Sequence, residues 1–493
     1  MNELPSFDHI KDPEARALLD MMKLMIQNQQ STIEKLMSKI DGLARLVRGS
    51  KPERMPSIES EIKKKRNETE EEKQERLRKA RETRQKNKDK KKLLETEEVK
   101  HDIPEAELKC KHCGDTEFEV LGEGQVSYEY EFFPARLIQK KHVREKRMCH
   151  CRKTILTAPA ATRVGESCHH GPELHAHVVV SKCLDSIPLN RMQSQFSRLD
   201  IHLPKSTLCD MFHRTAEQLE PIYRRQMELI AQAELLNADE TRIQVQAKKK
   251  TRTAWIWTFI SATMIGFVFS FSRSGQTPRK VLAGTTGQLQ VDAYTGYNQV
   301  CLPEGRERLG CWAHARRKFF DALPTAPEAE KALKLILELY EVEYEAAKNG
   351  ELGSERHQAM RTLSSQHTLD TFHKWLLQQK KDGLPKSPLG QAVTYTLNQW
   401  DTLIRFVDDV RISLDNNIAE RALRTIAVGR KNFLFVGNDQ AGQNLAILQS
   451  LVSTCVANQV NPQSYIADVL LRIQTHPMNR IDELLPMNWK PQA

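Results

Sequence analysis

Three acidic side chains occupy positions where a strand or helix is expected to begin or end. Asp239 lies on one predicted strand, Asp292 ends another, and Glu420 falls near the start of a predicted helix. Carboxylates held together repel one another, and divalent cations relieve that repulsion. Hard oxygen ligands with open coordination positions suit Mg²⁺ or Mn²⁺. Taken singly, Asp239 is better explained as a strand-end cap, and Glu420 as the partner of Arg424 one helical turn on.

The order of the predicted elements decides between these interpretations. The strand with Asp239 is followed by two stretches, 255–260 and 265–271, whose aromatic residues alternate as in a buried hairpin. A short helix from 278 and the strand that ends at Asp292 come next. This order matches the first half of a ribonuclease-H-like domain, in which the first and fourth strands are neighbours. Two ions about 4 Å apart beside these acids would activate a water or 3′-hydroxyl for phosphoryl displacement.

Residues 253–272 contain no charged side chain, and twenty such positions are enough to cross a bilayer. Because serine, threonine and alternating aromatic residues run through them, we predict the hairpin and no membrane partner. The first residues have neither a basic nor an apolar region typical of a signal peptide. We therefore expect a cytoplasmic, nucleoid-associated protein whose ten cysteines are reduced thiols or metal ligands.

Two cysteine pairs predict a structural zinc module over 108–157. A Cys-x2-Cys-Gly turn lets two thiolates meet one ion, and a later Cys-x-Cys pair completes a tetrahedral Zn²⁺ site. The four ligands would be Cys110, Cys113, Cys149 and Cys151. His112 and His150 are alternates that would replace a sulfur, and the other interpretation is four spectator thiols. A closed four-thiolate site presents a surface and does not catalyse.

The 493 residues carry 74 Lys or Arg against 64 Asp or Glu, and 39% are hydrophobic, which excludes a wholly disordered chain. Apolar residues with 3-4 spacing over 14–48 predict a coiled-coil zipper, or else an amphipathic helix packed on its own chain. Residues 49–107 form a charged linker. We expect this linker to be either a solvated helix or disordered. Within it, 63–92 hold 15 Lys or Arg and 7 Asp or Glu, nearly the whole excess of +10.

Residues 165–233 have a helical pattern with helix starts near 187 and 203. Short helices in a basic chain suggest a helix-turn-helix unit, with Ser206–Glu217 as the recognition helix. A plain helical connector is the alternative. The fold class predicted for the whole chain is multidomain α+β.

Five segments in order resemble the bacterial transposases of the insertion sequence 66 family. They are Ala238-Asp-Glu-Thr, Leu289-Gln-Val-Asp-Ala-Tyr-Thr-Gly-Tyr-Asn, Gly310-Cys-Trp-Ala-His-Ala-Arg-Arg-Lys-Phe-Phe-Asp-Ala, Asn416-Asn-Ile-Ala-Glu-Arg-Ala-Leu-Arg and Val428-Gly-Arg-Lys-Asn-Phe-Leu-Phe. The resemblance implies that Asp239, Asp292 and Glu420 are a DDE triad. It also implies a catalytic core over 234–325 and 409–455, an all-α insertion over 326–408 and a C-terminal helical segment over 456–493.

Further residues around the triad are expected to support the core or to contact phosphate. Cys311 and His314 resemble a Cys-x2-His element found after the second Asp in several transposase families; a packed cysteine and a hydrogen-bonded histidine are the alternative. The basic members are Arg316, Arg317, Lys318, Arg421, Arg424, Arg430 and Lys431. Such side chains are phosphate contacts in some proteins and solvated faces in others.

Together these features predict a transposase that binds the ends of its element and transfers strands into target DNA with Mg²⁺ or Mn²⁺. Its partners would be double-stranded DNA, a second copy or a higher oligomer joined through the zipper, and small accessory proteins of the same element. Two rivals stand beside it: a ribonuclease-H-like nuclease that only cuts, and a zinc-finger DNA-binding protein whose core has fallen into disuse.

Removal of residues 63–92 tests the role of the basic segment. Its cations would neutralise phosphates without reading sequence, so the deletion should make the slope of log K against log salt shallower. DNA-binding titrations over a series of salt concentrations measure this slope. An unchanged slope would show that the segment does not touch DNA.

Overall fold

The computed structural model describes residues 55–65, 70–91, 137–138, 140–148, 155–157, 162–165, 168–248 and 250–491, besides Met22 and Met25. Two units are distinguished, one of residues 59–143 and one of the remainder of the chain. Nearly all of the predicted zipper lies outside the described residues, and so do the four cysteines of the predicted zinc site.

The smaller unit contains α1 (Ile58–Lys65) and α2 (Glu70–Lys91). Helix α2 holds much of the basic excess, and its described side chains between 77 and 86 are all exposed. Arg78 pairs with Glu75 at 2.8 Å and with Glu82 at 3.4 Å, one turn away on each side. Of the two forms expected for the linker, the solvated helix is the one found over 70–91.

The larger unit is built around a five-stranded mixed sheet. Its strands are β3 (Leu235–Ala247), β4 (Lys250–Ile260), β5 (Ile265–Ser270), β6 (Gly287–Gln290) and β7 (Arg306–Leu309), in the order β5-β4-β3-β6-β7. The first three strands are antiparallel, and β6 runs parallel to β3 and β7. The predicted hairpin and the predicted pairing of first and fourth strands are both confirmed. A separate pair, β1 (Lys146–Met148) and β2 (Ile155–Thr157), flanks Cys149 and Cys151 in sequence.

The sheet is buried on both faces, which explains its apolar sequence. Ile256 and Trp257 are neighbours on β4 and are both fully buried, yet they belong to different cores. Successive side chains of a strand point to opposite faces, so each face must be covered by helices. Among the described residues, no helix is long and apolar enough to cross a membrane.

The helical region predicted for 165–233 packs into the same core as the sheet. Its helices are α3 (Pro172–Cys183), α4 (Leu189–Ser197) and α5 (Lys205–Gln232). Helix α5 is a single helix of 28 residues, and the segment 206–217 is its first part. Leu208, Met211 and Phe212 of that segment are buried in the core that contains Ile256 of the sheet. The apolar face of this segment is therefore committed to folding.

Helices make up the rest of the chain. Between the sheet strands and after them lie α6 (Gln276–Leu282), α7 (Trp312–Ala322), α8 (Ala329–Lys348), α9 (Glu355–Met360), α10 (Gln366–Asp382), α11 (Pro388–Asn398), α12 (Trp400–Leu403), α13 (Asn417–Phe433), α14 (Asp439–Ala457) and α15 (Pro462–Arg472). The predicted insertion over 326–408 is helical throughout its regular structure. The C-terminal segment packs through α15 against α3.

Arg306 joins the edge of the sheet to the end of α5. Its guanidinium donates to the carbonyls of Ala231 and Ala233 at 2.7 and 2.9 Å, and to Gln288 O and Thr285 Oγ1. The residue is 1% exposed. The last carbonyls of a helix have no partner within the helix, and Arg306 satisfies them where water cannot reach.

Arg306→Met should destabilise the larger unit. The methionine fills most of the volume but leaves several buried carbonyls without donors, so we expect the free energy of unfolding to fall by about 2–4 kcal/mol. Urea denaturation measures the change. Arg356→Met removes an arginine that is 74% exposed and paired with Glu351, and it serves as the control with a change below about 1 kcal/mol. Equal losses in the two variants would contradict this role of Arg306.

Candidate active site

One buried asparagine brings the start of α13 onto β3. The side-chain amide of Asn416 donates to Ala238 O at 2.7 Å, and Asn237 Nδ2 donates to Asn416 Oδ1 at 2.9 Å. Asn416 is 1% exposed, so these bonds form away from water, where an unpaired amide would be costly. Because Ala238 precedes Asp239 and Asn416 lies one turn before Glu420, the two acids are brought together.

Gln290, at the end of β6, extends this network to the loop that carries Asp292. Its carbonyl oxygen accepts from Asn237 Nδ2 at 3.0 Å and from Ser413 Oγ at 2.8 Å. Its amide donates to the carbonyls of Gly310 and Ser413. The side chain of Gln290 is 2% exposed, and both its carbonyl oxygen and its amide make hydrogen bonds. The network is neutral, so it positions the acids without cancelling their charge.

Burial and neighbouring acids raise the pKa of Asp239. Burial raises the pKa of Asp239 to about 7, against a hydrogen bond of 2.8 Å from Glu240 N–H that lowers it. The negative charges of Glu240, Asp292 and Glu420 raise it further. Such effects weaken with distance, so Asp292, in the loop after β6, and Glu420, on α13, each lie near enough to Asp239 to influence its pKa.

Cys311 and His314 both contact the acid-bearing helix. The backbone N–H of Asn416 donates to Cys311 Sγ at 3.2 Å, and burial raises the pKa of this thiol to about 12. The sulfur is therefore a neutral acceptor at the start of α13. His314 Nε2 lies 3.9 Å from Glu420 Oε1, with the two side chains 28% and 27% exposed.

The alternative ion pair of Glu420 with Arg424 is not formed within the described part of the chain. Asn416 is the N-cap of α13, but its side chain is engaged with β3 and makes no cap hydrogen bond. Asp415 Oδ1 accepts from Asn417 N–H at 3.1 Å instead. The other oxygen of Asp415 accepts from Tyr340 of α8 at 2.9 Å, which ties the helical insertion to the site.

Sequence reasoning assigned no role to Glu240, although it is the next acid along β3. Its side chain is 2% exposed and accepts hydrogen bonds from Tyr297 OH at 2.8 Å and from Arg273 Nε at 2.9 Å. Burial raises the pKa of Glu240, while Tyr297 and Arg273 lower it. Two consecutive acids on a strand point to opposite faces, a signal that could have separated a paired Glu240 from Asp239.

The basic residues fall into two groups. Arg316 is 2% exposed and donates to Pro56 O at 3.1 Å, and Arg430 donates to Thr241 Oγ1 and Arg242 O. Arg316 is buried and Arg430 is half-buried, and both are hydrogen-bonded to other parts of the chain. The exposed group consists of Arg317, Lys318, Arg421, Arg424 and Lys431.

Across the described ranges, no group of three or more His, Cys, Asp or Glu side chains lies close enough together to hold a metal ion. The donor chemistry of Asp239, Asp292 and Glu420 nevertheless suits a hard cation, because all three predicted ligands are carboxylates. A cation beside Asp239 would also lower the pKa that burial and neighbouring charges raise.

Comparison with known proteins identifies the class to which this chain is related. Residues 167–444 match the transposase IS66 family, and residues 450–487 match the IS66 C-terminal element. Two similar proteins come from Sinorhizobium fredii, both described as uncharacterized. Protein y4hP is 33% identical over 77% of this chain and 73% of its own length, and y4jD is 34% identical over 79% and 80%. The chain belongs to the IS66 family of transposases.

Asp239→Asn should change how stability depends on pH. The folded pKa of Asp239 is raised, so the stability it contributes is present below pH 4 and is lost as the pH rises toward 7. The asparagine side chain of the variant does not ionise, so the variant does not lose this stability as the pH rises. We expect the variant to gain on the order of 2 kcal/mol at pH 8 and little at pH 4.

Urea denaturation of wild type and Asp239→Asn at both pH values measures this difference. Asp321→Asn, at an exposed position of α7, is the matched control. A gain for Asp239→Asn that is the same at pH 4 and pH 8 would contradict the raised pKa.

Proposed function

We propose that this protein is a DNA transposase that binds the ends of its insertion sequence, hydrolyses a phosphodiester there and joins the freed 3′-hydroxyl to target DNA. The observation that carries the proposal is the pairing of Asn416 with β3, which joins the start of the helix of Glu420 to the strand of Asp239 in an IS66-family chain. By this proposal the three acids are the DDE triad, working in the bacterial cytoplasm on chromosomal DNA.

The arrangement of the sheet supports a ribonuclease-H-like core. Three antiparallel strands are followed by two that run parallel to the first, and Asp239 and Asp292 belong to the adjacent strands β3 and β6 and their loops. Helix α13 returns to β3 after the helical insertion and supplies Glu420. A site of this kind uses the sheet for two acids and a helix for the third.

Asp239, Asp292 and Glu420 would hold Mg²⁺ or Mn²⁺. A divalent ion bound there would neutralise the carboxylates and stabilise negative charge that develops on phosphate oxygens. Asn416 and Gln290 keep the segments of the acids in register through neutral hydrogen bonds. Cys311 would steady the start of α13, and His314, 3.9 Å from Glu420, would help to orient that side chain.

Contacts to double-stranded DNA are assigned to the exposed cations near the site. Arg317 and Lys318 lie on α7, and Arg421, Arg424 and Lys431 lie on α13, the helix that carries Glu420. Further DNA contacts are assigned to the helical region 165–233 and to a zinc module held by the four cysteines. Oligomerisation is assigned to the zipper over 14–48, with small accessory proteins as further partners.

The decisive experiment incubates the purified protein and Mg²⁺ with labelled DNA carrying the element ends, and scores nicks and joined products on one gel. Asp239→Asn and Glu420→Gln should each reduce both products by about a thousandfold or more, since each removes a charge that the reaction needs. DNA binding should stay within a few-fold of wild type. Asp321→Asn is the control, with unchanged products.

Three outcomes distinguish the rivals. Nicks without joined products would identify a nuclease that only cuts. Binding that depends on Cys110 and Cys113, with no covalent change on adding Mg²⁺, would identify a DNA-binding protein with a disused core. Full cleavage by Asp239→Asn would exclude the assigned triad.

A further inference from the structure

The chain makes a strained turn immediately after α13. Leu434 has φ 62° and ψ −48°, and the backbone N–H of Phe435 donates to Phe433 O at 2.7 Å. These values describe a tight γ-turn with positive φ at its centre, which is rare and unfavourable for a residue with a side chain. Such strain persists only where the surroundings impose it, and it is concentrated at functional sites.

Contacts on both sides of the turn impose the backbone strain at Leu434. On the helix side, Asn432 Nδ2 donates to Ser186 O at 3.0 Å, and Lys182 Nζ lies 4.6 Å above the centre of the Phe433 ring. On the other side, Val436 pairs with β3 through two backbone hydrogen bonds of 2.8 and 2.9 Å. The chain must therefore reverse within two residues between fixed ends.

The turn holds two large apolar side chains out in solvent. Leu434 is 66% exposed and Phe435 is 39% exposed, whereas Phe433 and Val436 on either side pack against the core. Exposing leucine and phenylalanine together forfeits the free energy of burying them. A strained backbone that presents apolar side chains outward is typical of a contact surface.

The exposed face of α13 indicates what kind of surface this is. Its exposed residues recur every three or four positions, and two are apolar and three basic: Ile418, Arg421, Arg424, Val428 and Lys431. That spacing places them along one side of the helix. These exposed residues extend from the helical turn that contains Glu420 to Leu434, over roughly 21 Å of helix. Cations spaced along such a face complement the phosphates of a DNA backbone.

We infer that Leu434 and Phe435 form an apolar wedge that enters between base pairs of double-stranded DNA bound along this face of α13. The inference rests on the proposed function, because it takes DNA as the partner. Cations would hold the backbone while the wedge replaces stacking between neighbouring bases, as apolar side chains do in proteins that kink DNA. The wedge would act about six base pairs from Glu420, so it would not touch the reacting phosphate.

The test compares two DNA duplexes of identical length, one fully paired and one with a short central mismatch flanked by 2-aminopurine. Unpairing removes part of the cost of opening the stack, so wild type should bind the mismatched duplex about tenfold more tightly. It should also increase the fluorescence of 2-aminopurine, which reports unstacking. The double variant Leu434→Ser with Phe435→Ser should bind both duplexes equally, with no increase in fluorescence.

Leu434→Gly separates a structural role of the turn from its contact with DNA. Glycine adopts positive φ readily, so this variant should be at least as stable as wild type towards urea and yet prefer the mismatched duplex several-fold less. Leu384→Ser is the matched control, because Leu384 is 68% exposed in the loop between α10 and α11. This variant should keep the full preference.

The outcomes separate the wedge from the proposed function. If wild type bound neither duplex, DNA as a partner would be excluded, and the proposed function would fail together with the wedge. If wild type bound both duplexes equally, or if the double variant kept the preference and the fluorescence, the wedge alone would be overturned.

Discussion

The candidate site depends on the hydrogen bonds between Asn416 and β3. Asp239 and Glu420 are separated by 180 positions in the chain, and each would be an unremarkable polar side chain on its own element. The buried amide of Asn416 accepts from Asn237 and donates to Ala238 O. These two hydrogen bonds fix the position of the start of α13 relative to the sheet. Because an unpaired buried amide is costly, this one pairing strongly disfavours other placements of the helix.

The protein thereby concentrates negative charge without neutralising it. Neutral groups, chiefly Asn416, Gln290 and the Cys311 thiol, make the contacts that position the acids, while burial and mutual repulsion raise the pKa of Asp239 to about 7. Glu240, one residue further along the strand, is different, because Arg273 forms an ion pair with it and Tyr297 donates a hydrogen bond to it. Of these two adjacent acids, Glu240 is part of a hydrogen-bonded network with Arg273 and Tyr297, whereas the charges next to Asp239 are negative.

Helix α13 connects three features that are separate in sequence. Its start is bound to β3, and Asp415 just before it accepts from Tyr340 of the helical insertion. Its exposed face carries cations, and its end is the strained turn at Leu434. A long insertion is compatible with an ordered site because its first long helix is tied through Tyr340 to Asp415, just before α13. Displacement of α13 would therefore affect the acids, the insertion and the turn together.

The sequence by itself determined the elements and the family resemblance. Period-two aromatic residues identified the hairpin, and the strand order placed Asp239 beside Asp292, because such signals depend on residues close together in the chain. The tertiary structure alone decided which side chains meet. Arg316 and Lys318 look alike in sequence, yet one is buried and the other is exposed, and the helices over 165–233 join the core of the sheet. Neither these environments nor the pairing of Asn416 with β3 has a local signal, because each arises only when segments distant in sequence pack together.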